Sequence, residues 1–167
     1  MKALQALHRR LDDLSPAMRG IGREGADESR ALFKSAHDPY GTPWRPLSVA
    51  TLINRGRKTS GGLKKDGTLR AKGVRAMATA RPLLDTGRLR ASVSHRLKSP
   101  TQVEVFSGVA YARVHQIGGQ AGRGRKVTIP ARPYLPVQSR GLPREWAQIV
   151  QRQLELHLRR AATGAAA

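Results

Sequence analysis

Cysteine is absent from the 167 residues, which excludes disulfide staples and thiolate zinc sites. Aromatic residues amount to only 4% of the chain, so a thin core is expected, with burial against partners to supplement it. No apolar run approaches the roughly 20 residues that a bilayer-spanning helix needs. The opening MKALQALHRRLDD meets charges too early for a signal peptide. The expectation is a soluble chain made in the cytoplasm, with no membrane partner. Acidic residues are scarce as well: 11 Asp and Glu face 31 Lys and Arg, a net charge of +20. Such a balance suits a polyanion, nucleic acid first, or an acidic protein surface.

The excess is unevenly spread. Residues 1–40 carry 7 basic and 6 acidic groups, whereas residues 41–81 carry 10 basic groups and only Asp66. Leu4, Leu7, Leu11 and Leu14 recur at helical spacing and predict a packing helix. Ser15-Pro16 reads as an N-cap followed by proline in the first turn of a second helix to about Ala36. Met18, Ile21, Gly25, Leu32, Phe33 and Ala36 form its expected buried stripe. Prolines 39, 43 and 46 with Gly41 then forbid regular structure. Tyr40, Trp44 and Leu47 are expected to pin that segment to the core. Ser48 is a suitable N-cap for a short helix over Val49–Ile53.

Asn54 to Ala80 carries eight Lys or Arg and five Gly with no surviving period, and predicts a long basic flexible loop. Two readings stay open for it: an excursion ordered only in an assembly, or an arm that touches nucleic acid or an acidic neighbour. Arg55, Arg57, Lys58, Lys64 and Lys65 are its candidate contacts. Gly61-Gly62 lacks the pattern of a phosphate loop.

Pro82 to Pro136 holds nearly all the strand-like sequence. Asp85 or Thr86 is expected to cap a short helix from Gly87 to Ser92, with Leu89 turned inward. Val93, His95 and Leu97 alternate with polar residues, and so do Val103 and Val105, across a Ser99-Pro100-Thr101 turn. That pattern predicts an antiparallel hairpin. Val109 to Ile117 shows helical spacing stopped by Gly118-Gly119. Val127 and Ile129 read as a third strand, and Tyr134, Leu135 and Val137 as a final extended piece. Leu142, Trp146, Ile149, Val150, Gln153, Leu154 and His157 trace a closing helix begun by Pro143. The tail from Ala161 to Ala167 is expected to fray.

The chemistry of an enzyme does not assemble on paper. Histidines 8, 37, 95, 115 and 157 fall on separate elements and form no H-x-x-x-H pair. His115 reads as a structural or interface residue, and Ser48, Ser92 and Ser107 lack the setting of a nucleophile. No catalytic residue, cofactor site or metal site is expected.

Four ordered blocks carry a resemblance: Asp38-Pro39-Tyr40-Gly41-Thr42-Pro43-Trp44-Arg45-Pro46-Leu47-Ser48, Pro82 to Ser92 (PLLDTGRLRAS), Tyr111 to Gly119 (YARVHQIGG), and Ile129 to Leu135 (IPARPYL). Together they resemble the Mu-type phage virion morphogenesis, or tail completion, family. The resemblance implies a non-catalytic structural protein of the virion head–tail junction: a neck, tail-terminator or completion subunit. It implies ring assembly, commonly hexameric, with connector and tail-tube neighbours and access to packaged DNA. The expected fold is α+β: a small antiparallel sheet packed by N- and C-terminal helices, in one domain over residues 1–160. Trp44, Leu84, Leu89, Tyr111, Ile117 and Tyr134 are its expected anchors. Arg132, between two prolines, is expected in an interface ion pair. The rival expectation, from charge alone, is a stand-alone nucleic-acid-binding protein.

Overall fold

The computed structural model describes residue 8 and residues 12–163. The helix expected over Leu4, Leu7 and Leu11 lies outside them, as does the tail from residue 164. The fold is α+β and is organised around one helix, α1 (Ser15–Ser35). Ser15 is not its cap but its first residue. The Asp13 carboxylate accepts the Ser15 amide at 3.0 Å and satisfies one of the donors a helix start leaves bare.

α1 is buried on two sides because its faces are lined with small residues. On one side it meets a hairpin of β1 (Val93–Ser99) and β2 (Gln102–Ser107). The hairpin is antiparallel, with Val93 opposite Ser107 and Leu97 opposite Val103, as the alternating pattern predicts. On the other side it meets the closing helix, which runs Arg144–Thr163 and is numbered α6 below. A Cβ placed at Gly22 falls 2.6 Å from Val103, and one at Gly25 falls 2.7 Å from the Trp146 ring. Backbone contact this close needs glycine for space rather than for an unusual φ. Gly25→Val is therefore expected to destabilise the fold by about 1–3 kcal/mol through overpacking. Urea unfolding checks it; unchanged stability would show that Trp146 yields freely.

The basic stretch 54–80 is not a loop. Helix α2 spans Val49–Lys58, capped by the Ser48 hydroxyl, which accepts the Thr51 amide at 3.3 Å. Helix α3 spans Ala71–Ala78. Between them the chain turns back through a bridge of Leu63 with Leu69, tightened by the Asp66 carboxylate, which accepts the Thr68 amide at 2.9 Å. The two helices pack on each other at glycines: a Cβ at Gly56 would sit 2.9 Å from the Gly73 carbonyl oxygen. The same residues that read as breakers are the contact between two helices.

Helix α4 (Arg88–Ala91) follows Gly87, whose φ of 77° suits glycine. The Thr86 hydroxyl accepts the Arg88 amide at 3.3 Å. Helix α5 spans Ala112–Ile117 and stops at Gly118, with φ 76°. The expected third strand exists as β4 (Val127–Ile129), yet it does not join the first hairpin. It pairs with β3 (Gly119–Ala121), where a loop was expected, to make a second two-stranded ribbon. Tyr134 to Val137 is irregular rather than strand. In α6, Trp146 and Ile149 are buried, while Leu142, expected in the same stripe, precedes the helix and is exposed. The expected fraying at Ala161 is not seen, since α6 runs on through Thr163 with Ala161 buried.

The core gathers Phe33, Trp44, Leu89, Val93, Ala112 and Tyr134. Phe33 meets Trp44 edge-on at 5.6 Å and Tyr134 at 5.2 Å between centroids. Three rings thus supply much of the burial in an aromatic-poor chain.

Candidate assembly site

The distinctive residues of the sequence prove to fasten two irregular segments, 37–48 and 130–141, to each other and to α5. The indole Nε1 of Trp44 donates to the Pro133 carbonyl at 2.8 Å. The Asp38 carboxylate, buried itself, accepts the amides of Tyr40 and Thr42 at 2.8 Å and the Arg140 guanidinium at 2.9 Å. Burial pushes the Asp38 carboxyl up, but the Thr42 and Tyr40 amides and then Arg140 outweigh it and hold it below the usual carboxylate range. Arg140 also lies over the Tyr40 ring at 3.8 Å. The Tyr40 hydroxyl in turn accepts the Val137 amide at 3.0 Å.

Arg132 departs from expectation. It is 6% exposed and meets no carboxylate among the described residues; its Nε donates to the Arg45 carbonyl at 2.8 Å and its Nη2 to the Pro46 carbonyl at 3.0 Å. Burial first, and then Arg45 and Arg55, hold its pKa below the ordinary guanidinium value. It is an internal clasp, not an exposed partner for an interface ion pair. Arg55 departs in the same way. It donates to the carbonyls of Arg81 and Leu84 at 2.8 and 2.7 Å, which ties α2 to the 81–84 turn and leaves it little freedom to meet DNA.

Gln116 was not singled out by sequence reasoning. Its side-chain oxygen accepts the Tyr134 and Leu135 amides at 3.0 and 3.1 Å, and its nitrogen donates to the Leu135 carbonyl at 2.8 Å. An amide side chain can copy a strand's donor and acceptor, and Gln116 does so for a segment with no strand partner. The available signal was a glutamine between His115 and Ile117, two positions before the Gly118 stop.

The remaining candidate residues divide by exposure. Trp44, Leu89 and Tyr134 are core residues, and Leu84 is half-buried against them. Tyr111, just before α5, and Ile117, its last residue, are not buried: they are 40% and 58% exposed. Arg57, Lys58, Lys64 and Lys65 are exposed on the α2–α3 arm. Tyr111 and His115 stack edge-on at 5.9 Å and form one wall of a groove of about 980 Å³, which α2 and β4 close from the other sides. The Nδ1 of His115 is buried with no hydrogen-bond partner among the described residues. Burial, and then the nearby Arg132 charge, depress its pKa, so the imidazole is neutral near pH 7. No cluster of His, Asp or Glu suited to a metal occurs among the described residues, and no helix there is long and apolar enough to cross a membrane.

The described residues thus form a small α+β unit with internally fastened loops, exposed apolar groups around a short helix and, among the described residues, strand edges that pair with no further named strand. The chain belongs to the phage virion morphogenesis family, whose family model matches residues 1–159. It is also 50% identical over 54 residues to the Mu-like prophage FluMu G protein 2 of Haemophilus influenzae (strain ATCC 51907 / DSM 11121 / KW20 / Rd), a match over 32% of this chain and 38% of that protein. The matched stretch thus spans well under half of that relative's length. No solved structure matches the chain. A role in phage virion morphogenesis, as a structural and virion-associated protein, follows from the family.

Proposed function

We propose that this protein is a head–tail junction subunit of a phage or prophage-derived particle: a neck, tail-terminator or completion component that works by ring assembly and not by catalysis. The observation that carries the reading is surface left unmatched within one subunit. Ile117 at the end of α5 and Tyr111 just before its start are exposed large side chains, and each two-stranded ribbon has outer edges that pair with no other named strand among the described residues. Apolar groups and free strand edges of this kind are expensive to leave in water and are usually managed by covering them. A ring of copies, six by family resemblance, would cover Ile117 and the free edges of the β1–β2 hairpin, leaving the β4 edge and Tyr111 to a different neighbour. Connector and tail-tube proteins are the expected further neighbours. Arg57, Lys58, Lys64 and Lys65 would face packaged DNA or an acidic neighbour, and the subunit would be made in the bacterial cytoplasm before joining the virion.

Light scattering of the purified protein at low and high salt tests the proposal. A discrete high-order oligomer at both is expected. A salt-independent monomer that binds duplex DNA tightly would overturn it in favour of a stand-alone nucleic-acid binder, whose affinity should fall steeply with salt. Ile117→Asp is expected to weaken the oligomer at least about tenfold in dissociation constant. Because Ile117 is 58% exposed, the same change is expected to alter unfolding free energy by less than about 0.5 kcal/mol.

A further inference from the structure

The groove beside β4 combines three features that point to one kind of occupant. The first is a strand edge. Val127, Thr128, Ile129 and Pro130 all line the groove. Successive strand side chains point to opposite faces, so consecutive residues share a groove only when the strand turns its edge toward it. β3 occupies one edge of β4, and no named strand occupies the other among the described residues. The second is charge. Arg45, Lys58 and Arg88 stand exposed around the groove and belong to no ion pair among the described residues. The one carboxylate in its lining, Asp85, already faces Arg55 at 3.7 Å. The third is an apolar wall of Tyr111, Val127 and Leu89.

We propose that this groove receives an extended, carboxylate-bearing segment of an acidic partner protein as an added strand on β4. The strand edge supplies main-chain hydrogen bonds, the cations select acidic side chains on one face of the incoming strand, and the apolar wall takes the side chains of the other face. Nucleic acid uses the cations but has no amide ladder to pair with β4 and no aliphatic side chains for Val127. A second copy of this chain, itself at +20, is the poorer electrostatic match. The inference rests on the assembly reading, since it names the site through which the subunit grips a neighbour of opposite charge. Its test reads peptide binding and is blind to ring formation, so either can fail alone.

The probe is a fluorescent peptide of about eight alternating Glu and Val residues, long enough to span a strand edge, titrated into the full chain at low salt and followed by anisotropy. Saturable binding is expected, with loss of signal when Lys replaces Glu or when alternate peptide amides are N-methylated. Arg45→Glu with Arg88→Glu is expected to weaken binding at least about tenfold; both side chains are exposed, and the Arg45 carbonyl that holds Arg132 is untouched. Lys64→Glu with Lys65→Glu, on the arm, is expected to change it less than about twofold, because both lie outside the groove lining. Slowed amide exchange within β4 on binding would support strand addition. Absence of binding, equal binding of the N-methylated peptide, or an equal loss from the arm variant would overturn the proposal. Protection of β4 by a second copy or by duplex DNA, in place of the acidic peptide, would overturn it too.

Discussion

Trp44→Ala is expected to destabilise the protein by about 3–5 kcal/mol, the range for deleting a large buried aromatic side chain. Trp44 is 6% exposed and stands between Phe33, at 5.6 Å, and the Pro133 carbonyl, to which its indole donates at 2.8 Å. Removing it opens a cavity in a core whose clustered rings are Phe33, Trp44 and Tyr134, and it orphans a half-buried acceptor. It also frees the 37–48 segment from the 130–141 segment, so Arg132 loses the fixed Arg45 and Pro46 carbonyls it bonds. The separate losses should therefore combine non-additively. Trp44→Phe keeps most of the ring and drops the hydrogen bond, and is expected to cost about 1–2 kcal/mol. Urea unfolding at neutral pH measures both. A cost below about 1 kcal/mol for the alanine variant would show that the neighbouring rings close over the gap.

What the sequence made legible follows from which forces act locally. The hairpin of Val93 to Ser107 was readable because one buried face imposes a two-residue period, and a register slip would turn Val93 and Leu97 outward. Helix α1 was readable from its proline start and apolar spacing, although Ser15 is its first residue and not its cap, and Asp13 takes the Ser15 amide. The α2–α3 arm was not readable. In sequence its glycines read as breakers, whereas Gly56 and Gly73 serve as the close approach between two short helices, a demand set by tertiary contact. Strand β3 was missed for a related reason. Three residues with two exposed positions leave no period to detect, and their pairing depends on β4.

At the assembly site, residue types were more legible than roles. Arg132 and Arg55 were chosen as outward-facing charges, but guanidinium groups carry five donors. In both residues some of those donors go to backbone carbonyls of irregular segments, and Arg55 faces the Asp85 carboxylate as well. Irregular segments such as 37–48 and 130–141 need side chains in place of a ladder. Gln116 and Asp38 meet the same need from the other direction, by accepting amides. No periodicity reports such a role: Gln116 reaches Tyr134, 18 positions on, and Asp38 joins the nearby Tyr40 and Thr42 amides to Arg140, 102 positions on.

Asp38 therefore carries the second large effect. Its carboxylate holds the amides of Tyr40 and Thr42 and the Arg140 guanidinium, and it fixes the tight turn that aims Trp44 inward. Asp38→Ala leaves two amides and a guanidinium without their acceptor, and is expected to cost about 2–4 kcal/mol at neutral pH. Asp38→Asn retains one oxygen for the amides but loses the charge facing Arg140, and is expected to cost less. The pH dependence has a definite sign. The folded-state pKa lies below the unfolded value, despite burial that opposes this, because the Thr42 and Tyr40 amides and Arg140 stabilise the ionised form. The unfolded chain then binds more protons as pH falls. The stabilisation is fully present above the ordinary Asp range, near pH 4, and is lost as pH drops through the folded-state pKa. The gap in unfolding free energy between wild type and Asp38→Asn should accordingly narrow on acidification below about pH 4. A gap that is constant down through that range would show that the turn, and not the charge on Asp38, holds the two segments together.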